Sequence, residues 1–193
     1  MEYMLTPHTQ GMEPFLWWEN AFTDSELDWL QQKAKKAEGK AFTGNSFEKE
    51  NKELRRTKLN WIYCCSENNW IFEKLANVVQ TLNSKFYNFQ LTGFGEAIQL
   101  TNYLSEDKGT YGWHQDFGSI GISRKLSVVM QLSDPSEYMG GCLELKVGKE
   151  PTKVLARRGL ITVFPAWTLH QVTPVTQGSR QSLVAWVSGE PFK

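Results

Sequence analysis

The spacing of apolar residues along this chain switches from helical to alternating about halfway through. Early on, Thr23-Asp24-Ser25-Glu26 reads as a capping box, in which the threonine hydroxyl and the Glu26 carboxylate satisfy each other's backbone donors. Phe22 and Leu27 are placed as its hydrophobic staple. The predicted helix carries Leu27, Leu30, Ala34 and Ala37 on one face, lysines in its last turn and Gly39 as its stop. Ile71, Leu75, Val78, Leu82 and Phe86 repeat in the same way and predict a second helix against the back of a sheet. Short strands are predicted over 15–19 and 57–63, the latter with Leu59, Trp61 and Tyr63 on alternate positions. Residues 1–14 read as irregular, and 43–54 as a polar loop.

From Glu96 onward the pattern is one of short strands and turn signals. Strands are predicted near 96–103, 111–116, 124–132, 141–147, 152–156, 160–164, 169–175 and 180–188. Between them stand Asp107-Lys108-Gly109, Gly118 to Gly121, Asp134-Pro135, Gly140-Gly141, Gly148 and Gln177-Gly178. This order predicts an α+β chain forming a single domain. Residues 96–193 form a jelly-roll, or double-stranded β-helix, core of eight strands, and 1–95 supply helical support and extra strands.

Composition narrows the functional classes. A length of 193 residues suits one domain with its own core. Eight Trp and 13% aromatic residues suit a sheet-rich fold with a lined pocket. The formal net charge of zero offers no electrostatic footprint for nucleic acid. Arg55-Arg56 and Arg157-Arg158 read as solvated loop positions. Cys64, Cys65 and Cys142 are odd in number and two are adjacent, so no disulfide framework is suggested. A reducing compartment, the cytoplasm, is expected. The first residues lack the pattern of a secretory leader, and no stretch suits a membrane span.

The chemistry concentrates in Tyr111-Gly112-Trp113-His114-Gln115-Asp116. On a strand, His114 and Asp116 would share a face, with Cα atoms roughly 6.6 Å apart. They could converge on one metal ion. Of the three His, His8 lies in the irregular start, which leaves His170 as the third ligand. Two His and one carboxylate with other positions open is the facial triad of non-haem Fe(II) oxygenases. Downstream, period two places Arg180, Ser182, Val184 and Trp186 on one face, and Gln181, Leu183, Ala185 and Val187 on the other. An inward arginine on an apolar strand needs an anion, and a guanidinium matches a carboxylate in bidentate fashion. If Val172 lies opposite Arg180, then His170 lies opposite Ser182, one two-residue step away.

The order Tyr103, His114-x-Asp116, Arg124-x-x-Ser127, Tyr138-x-Gly140-Gly141-x-Leu143, Gly159, Phe164-Pro165, His170-x-Val172, Pro174-Val175, Gly178-x-Arg180 and Trp186 resembles the Fe(II)/2-oxoglutarate-dependent oxygenases, in their prolyl 4-hydroxylase-like branch. The resemblance is dense in the C-terminal half and loose in the N-terminal third. It implies a dioxygenase using Fe(II), O2 and 2-oxoglutarate, supported by ascorbate, that hydroxylates prolyl residues in a peptide or protein. His114, Asp116 and His170 then hold the metal, and Asp116 favours hydroxylation over halogenation. Arg180, Tyr103, Ser182, Leu143 and Val172 hold the cosubstrate, and Tyr111, Arg124 and Trp186 line the substrate mouth, with Trp113 beside them. The loop over 43–54 would fold over the substrate. Gln131 stands where some relatives carry a second carboxylate-binding Tyr. Alternatives are hydroxylation of lysyl residues or a free amino acid, and a non-catalytic jelly-roll binding module with a relic or zinc-filled site.

Overall fold

The computed structural model describes residues 12–40, 53–117 and 123–191. In chain order the elements are β1 (Leu16–Trp18), α1 (Asp24–Lys35), β2 (Gly39–Lys40), β3 (Arg55–Arg56), β4 (Lys58–Ile62) and α2 (Asn69–Leu82). Then come β5 (Leu91–Gly93), β6 (Ile98–Leu104), β7 (Thr110–His114), β8 (Arg124–Gln131), β9 (Tyr138–Gly140) and β10 (Leu143–Leu145). The last four are β11 (Thr152–Lys153), β12 (Ile161–Pro165), β13 (His170–Val172) and β14 (Val175–Gly189).

The strands form two sheets. The larger runs β1-β12-β8-β14-β6-β4-β2, with β5 and β9 also on β14. The smaller runs β11-β10-β13-β7-β3. Among the described residues every strand pairing is antiparallel, and together the two sheets make the jelly-roll. β2, β3 and β4 come from the N-terminal half, so that half extends both sheets as well as supplying helices.

Period two sorts the large sheet into a dry outer face and a polar inner one. Ile98, Leu100, Leu126, Val128, Met130, Ile161, Val163, Leu183, Ala185 and Val187 share one core cluster with the apolar stripes of α1 and α2. A fully buried leucine in such a cluster, Leu75 or Leu183, contributes about 1.5–3 kcal/mol. Tyr103, Val129 and Phe164 point the other way, into a second cluster with Leu143, Leu145, Val172 and Val175. The functional side chains sit among this second set.

α1 begins at the expected capping box. Thr23 N–H donates to Glu26 Oε2 at 2.7 Å, and Glu26 N–H donates to Thr23 Oγ1 at 3.4 Å. Gly39 is not a helix stop but starts an edge strand, where a Cβ would lie 2.8 Å from Leu59 O. α2 ends earlier than its periodicity predicts. A π-turn over Asn83–Tyr87 rotates the chain, and Phe86 is left exposed. The expected loop over 43–54 lies mostly outside the described residues, as does the turn at Gly118 to Gly121. Among the described residues no helix is long and apolar enough to cross a membrane.

One expected register is not observed. β13 pairs with β10 and β7, and β14 pairs with β5, β6, β8 and β9. The chain crosses from one sheet to the other between Val172 and Val175, so Val172 is not the hairpin partner of Arg180. His170 instead pairs with Leu145 and His114, and Arg180 pairs with Tyr103.

Candidate active site

His114 and His170 are cross-strand partners on β7 and β13, with ring centroids 4.1 Å apart. Asp116 lies beyond the end of β7, not on it, and its N–H donates to Ala166 O at 2.8 Å. Its carboxylate oxygens lie 3.8 Å from His114 Nε2 and 3.4 Å from His170 Nε2. One ligand atom from each residue fits within 4.8 Å of the others.

The surroundings fix which atoms face inward. His114 Nδ1 donates to Gly112 O at 2.7 Å, and His170 Nδ1 donates to Thr168 O at 2.8 Å. Each Nε2 is thereby turned toward the carboxylate, the ring orientation a metal-ligating His requires. Burial, with repulsion from His170, pushes the His114 imidazolium down to about 4, so the ring is neutral near pH 7. Burial works to raise the Asp116 carboxyl. The hydrogen bond and charge of His170 and the charge of His114 outweigh it and hold the group below the usual carboxylate range. Ser127 Oγ donates to Asp116 Oδ2 at 2.7 Å. Two imidazoles and a carboxylate on one side of a small cavity fit a divalent metal with open positions.

β7 carries a bulge. Against β13, Tyr111 pairs with Val172 and His114 with His170, so three residue steps face two. Tyr111 and His114, which strict alternation would put on opposite faces, therefore both point inward. Their rings stack with centroids 3.5 Å apart and planes 15° apart. Trp113 does not join the cavity lining, and its side chain is largely outside. Burial raises the Tyr111 hydroxyl above its ordinary value, so it stays protonated.

Arg180, only 3% exposed, has no carboxylate within ion-pair distance among the described residues. Its Nη1 lies 3.5 Å from Ser182 Oγ, and its guanidinium is 5.6 Å from the Tyr103 ring centre. Thr101 and Ser182 hydroxyls are 2.7 Å apart. Leu143, Val172, Val184 and Trp186 complete the wall of the same cavity as the triad. Arg180 also lines an adjoining cavity of about 160 Å³ with Tyr138 and Gln131. There Gln131 Nε2 donates to Tyr138 Oη at 3.0 Å. The glycine turns matter locally. Gly178 has φ +70° and a Cβ would stand 2.2 Å from Glu137 O; at Gly141 a Cβ would stand 3.0 Å from Arg180 Cδ.

Arg124, expected at the substrate mouth, does not line the triad cavity and is already paired. Its Nε and Nη2 donate to both oxygens of Glu96 at 2.6 and 2.5 Å, and its guanidinium lies 3.9 Å from the Trp186 ring centre. Glu144 accepts from Gln171 Nε2 at 2.7 Å and does not line the cavity. Arg55 overturns an expectation. It is not a solvated loop residue but is 7% exposed on β3, paired with Tyr111. Its guanidinium lies 4.3 Å from the Tyr111 ring centre, and it lines the triad cavity. A strand of two residues in polar sequence leaves no periodicity to read.

The jelly-roll brings the His114, Asp116 and His170 donors and the buried Arg180 to one cavity. The model of the 2OG-Fe(II) oxygenase superfamily matches residues 98–188, the jelly-roll half of the chain. A PKHD-type hydroxylase of Prochlorococcus marinus is 38% identical over 87 residues, covering 44% of this chain and 39% of the relative. One of Synechococcus elongatus is 28% identical over 145 residues, covering 72% of this chain and 60% of the relative. The match thus spans less than two thirds of each of these curated relatives. The solved structure of a Trichoplax adhaerens prolyl hydroxylase with a hypoxia inducible factor oxygen degradation domain peptide fragment superposes with TM-score 0.75 at 16% identity. It covers 91% of this chain and 84% of that one. At that identity it shows a shared fold.

Proposed function

We propose that this protein is an Fe(II)- and 2-oxoglutarate-dependent dioxygenase that hydroxylates prolyl residues in a peptide or protein, with ascorbate as supporting reductant. The observation that carries the reading is one cavity holding both the His114, Asp116 and His170 donors and the acid-free arginine Arg180. The prolyl hydroxylase likeness supports the choice of substrate.

When bound, Fe(II) would supply O2 activation and the oxidative decarboxylation of 2-oxoglutarate. The chain's own residues position the reactants. His114, Asp116 and His170 hold the metal on one side, and Ser127 fixes the carboxylate that would otherwise rotate. Arg180 takes the distal carboxylate of 2-oxoglutarate, with Ser182 and Tyr103 beside it and Leu143 and Val172 as apolar walls. Tyr111 and Trp186 offer flat surfaces to a pyrrolidine ring, which has no N–H to satisfy. The pair Arg124–Glu96 braces Trp186 from behind.

The reading is tested by offering matched peptides with Pro, Ala or Lys at one position, together with Fe(II), 2-oxoglutarate and ascorbate, and following oxygen incorporation by mass spectrometry. Oxygen added to the Pro peptide alone is expected. Oxygen added to the Lys peptide alone would leave an oxygenase with a different substrate.

A further inference from the structure

We infer that Arg55 receives a carboxylate carried by the substrate, so that the preferred target is a proline with a carboxylate close to it. This rests on the prolyl hydroxylation proposed above and adds a charge requirement to it.

Among the described residues, Arg55 Nε is a buried side-chain donor without any hydrogen-bond partner. Arg55 lines the cavity that holds His114, Asp116 and His170. Folded proteins leave few buried donors unpaired, and those left over commonly await a ligand or water. Its place in this small cavity points to an acceptor-bearing ligand there.

The charge argument is sharper. Half-buried Arg124 faces Glu96, and Arg158 faces Asp28. The two arginines that are buried outright, Arg55 and Arg180, face no carboxylate among the described residues, and both line this cavity. Arg55 has one neutral partner, Gln99 Oε1 at 2.6 Å from its Nη2, and the Tyr111 ring beneath it. An isolated buried cation is costly. With the site loaded, the Asp116 carboxylate and the 2-oxoglutarate dianion offset the divalent metal and one arginine. One positive charge remains. A peptide carbonyl would satisfy Arg55 Nε but leave that charge; a carboxylate satisfies both.

Position sets the range. Tyr111 lies between Arg55 and His114, 4.3 Å from the guanidinium and 3.5 Å from the imidazole, centre to centre. Arg55 is thus one aromatic ring removed from the triad. A carboxylate there belongs within a few bonds of the reacting carbon. It could be the terminal carboxylate of a C-terminal or free proline, or the side chain of an adjacent acidic residue.

The test uses the full chain with 2-oxoglutarate and Mn(II) without O2, so that binding is measured without turnover. Calorimetry compares two matched pairs: acetyl-proline as acid and as amide, and an internal Pro-Glu peptide against Pro-Gln. The acidic member of one pair is expected to bind about 10- to 100-fold more tightly, the range of a charge-assisted hydrogen bond. Which pair shows the preference identifies the source of the carboxylate. Arg55→Gln should erase the preference and Arg55→Lys should retain part of it, with Mn(II) and 2-oxoglutarate affinities unchanged. Equal binding of acidic and neutral probes to the wild-type protein overturns the inference without needing any variant. Loss of 2-oxoglutarate affinity in Arg55→Gln, with probe preference intact, also overturns it. Replacing Pro by Ala in the acidic probes separates the two claims: a carboxylate preference that survives with no preference for Pro would uphold Arg55 and contradict the prolyl reading.

Discussion

The Ser127 hydroxyl donates to Asp116 Oδ2 at 2.7 Å, from the middle of β8 to a residue just past the end of β7. This bond joins the two sheets at the candidate metal site. Asp116 has left the regularity of its strand, so its orientation depends on Ser127, on its own N–H to Ala166, and on the two imidazoles. Ser127→Ala should keep the fold and lower metal affinity about 10- to 100-fold, the usual effect of removing a partner that orients a ligand. Metal titration followed by calorimetry checks it; unchanged affinity would show the carboxylate to be held without the hydroxyl.

His114→Ala, Asp116→Ala and His170→Ala should each abolish 2-oxoglutarate turnover at saturating Fe(II) while leaving the circular dichroism spectrum unchanged. They line a cavity and contribute little to the helix-side core. Near-normal turnover in any one of them would remove that residue from the ligand set.

Arg180→Ala should weaken 2-oxoglutarate binding by roughly 2–4 kcal/mol, within the cost of truncating one partner of a buried charge pair, and should leave metal affinity in place. Arg180→Lys should be milder, because the charge remains. Separate measurements of metal content and cosubstrate affinity decide; metal loss with normal cosubstrate binding contradicts the assigned role.

Gly178→Ala should destabilise the protein by about 1–3 kcal/mol, since φ +70° disfavours a side chain and the added Cβ would press on Glu137 O at 2.2 Å. Arg180 follows two residues later, so 2-oxoglutarate affinity should fall too. Thermal melts and a cosubstrate titration read the two effects.

The Glu26–Lys74 pair predicts a pH effect away from the site. Burial alone would raise Glu26, but hydrogen bonds from Lys74 and Thr23 prevail and set it below its ordinary 4.5. A carboxyl lowered in the folded state adds stability above the unfolded value and loses it as pH falls through the folded one. The pair is partly exposed, so the contribution is under about 1 kcal/mol. Glu26→Gln should lower the melting temperature slightly at pH 7, and the difference from wild type should shrink as pH falls below 4.5 and vanish once the folded-state carboxyl is protonated. A gap that persists in acid would assign the effect to packing.

The helices and the facing of the last strand were legible because one-sided burial imposes a period. Leu27, Leu30 and Ala34 pack inward as their spacing predicts, and Arg180, Ser182, Val184 and Trp186 all face the cavity. Three features were not legible. The bulge in β7 brings Tyr111 and His114 to one face against strict alternation, and nothing in Gly112-Trp113 marks it. The predicted strands 169–175 and 180–188 look like the arms of a hairpin at Gln177-Gly178, but the chain changes sheets between Val172 and Val175. Arg55 is buried by β7 and by Gln99, both remote in sequence, so neighbouring polar residues misrepresent its setting. The role of Ser127 lay within a recognised motif, yet only its distance to Asp116 reveals it.

The most direct measurement of the central claim is isotopic. The protein is incubated with Fe(II), 2-oxoglutarate, labelled O2 and a prolyl peptide, and the products are resolved by mass spectrometry. The account predicts one labelled oxygen in succinate and one on the proline, both lost in His114→Ala. Peptide and 2-oxoglutarate recovered unchanged from metal-loaded wild-type protein would contradict it.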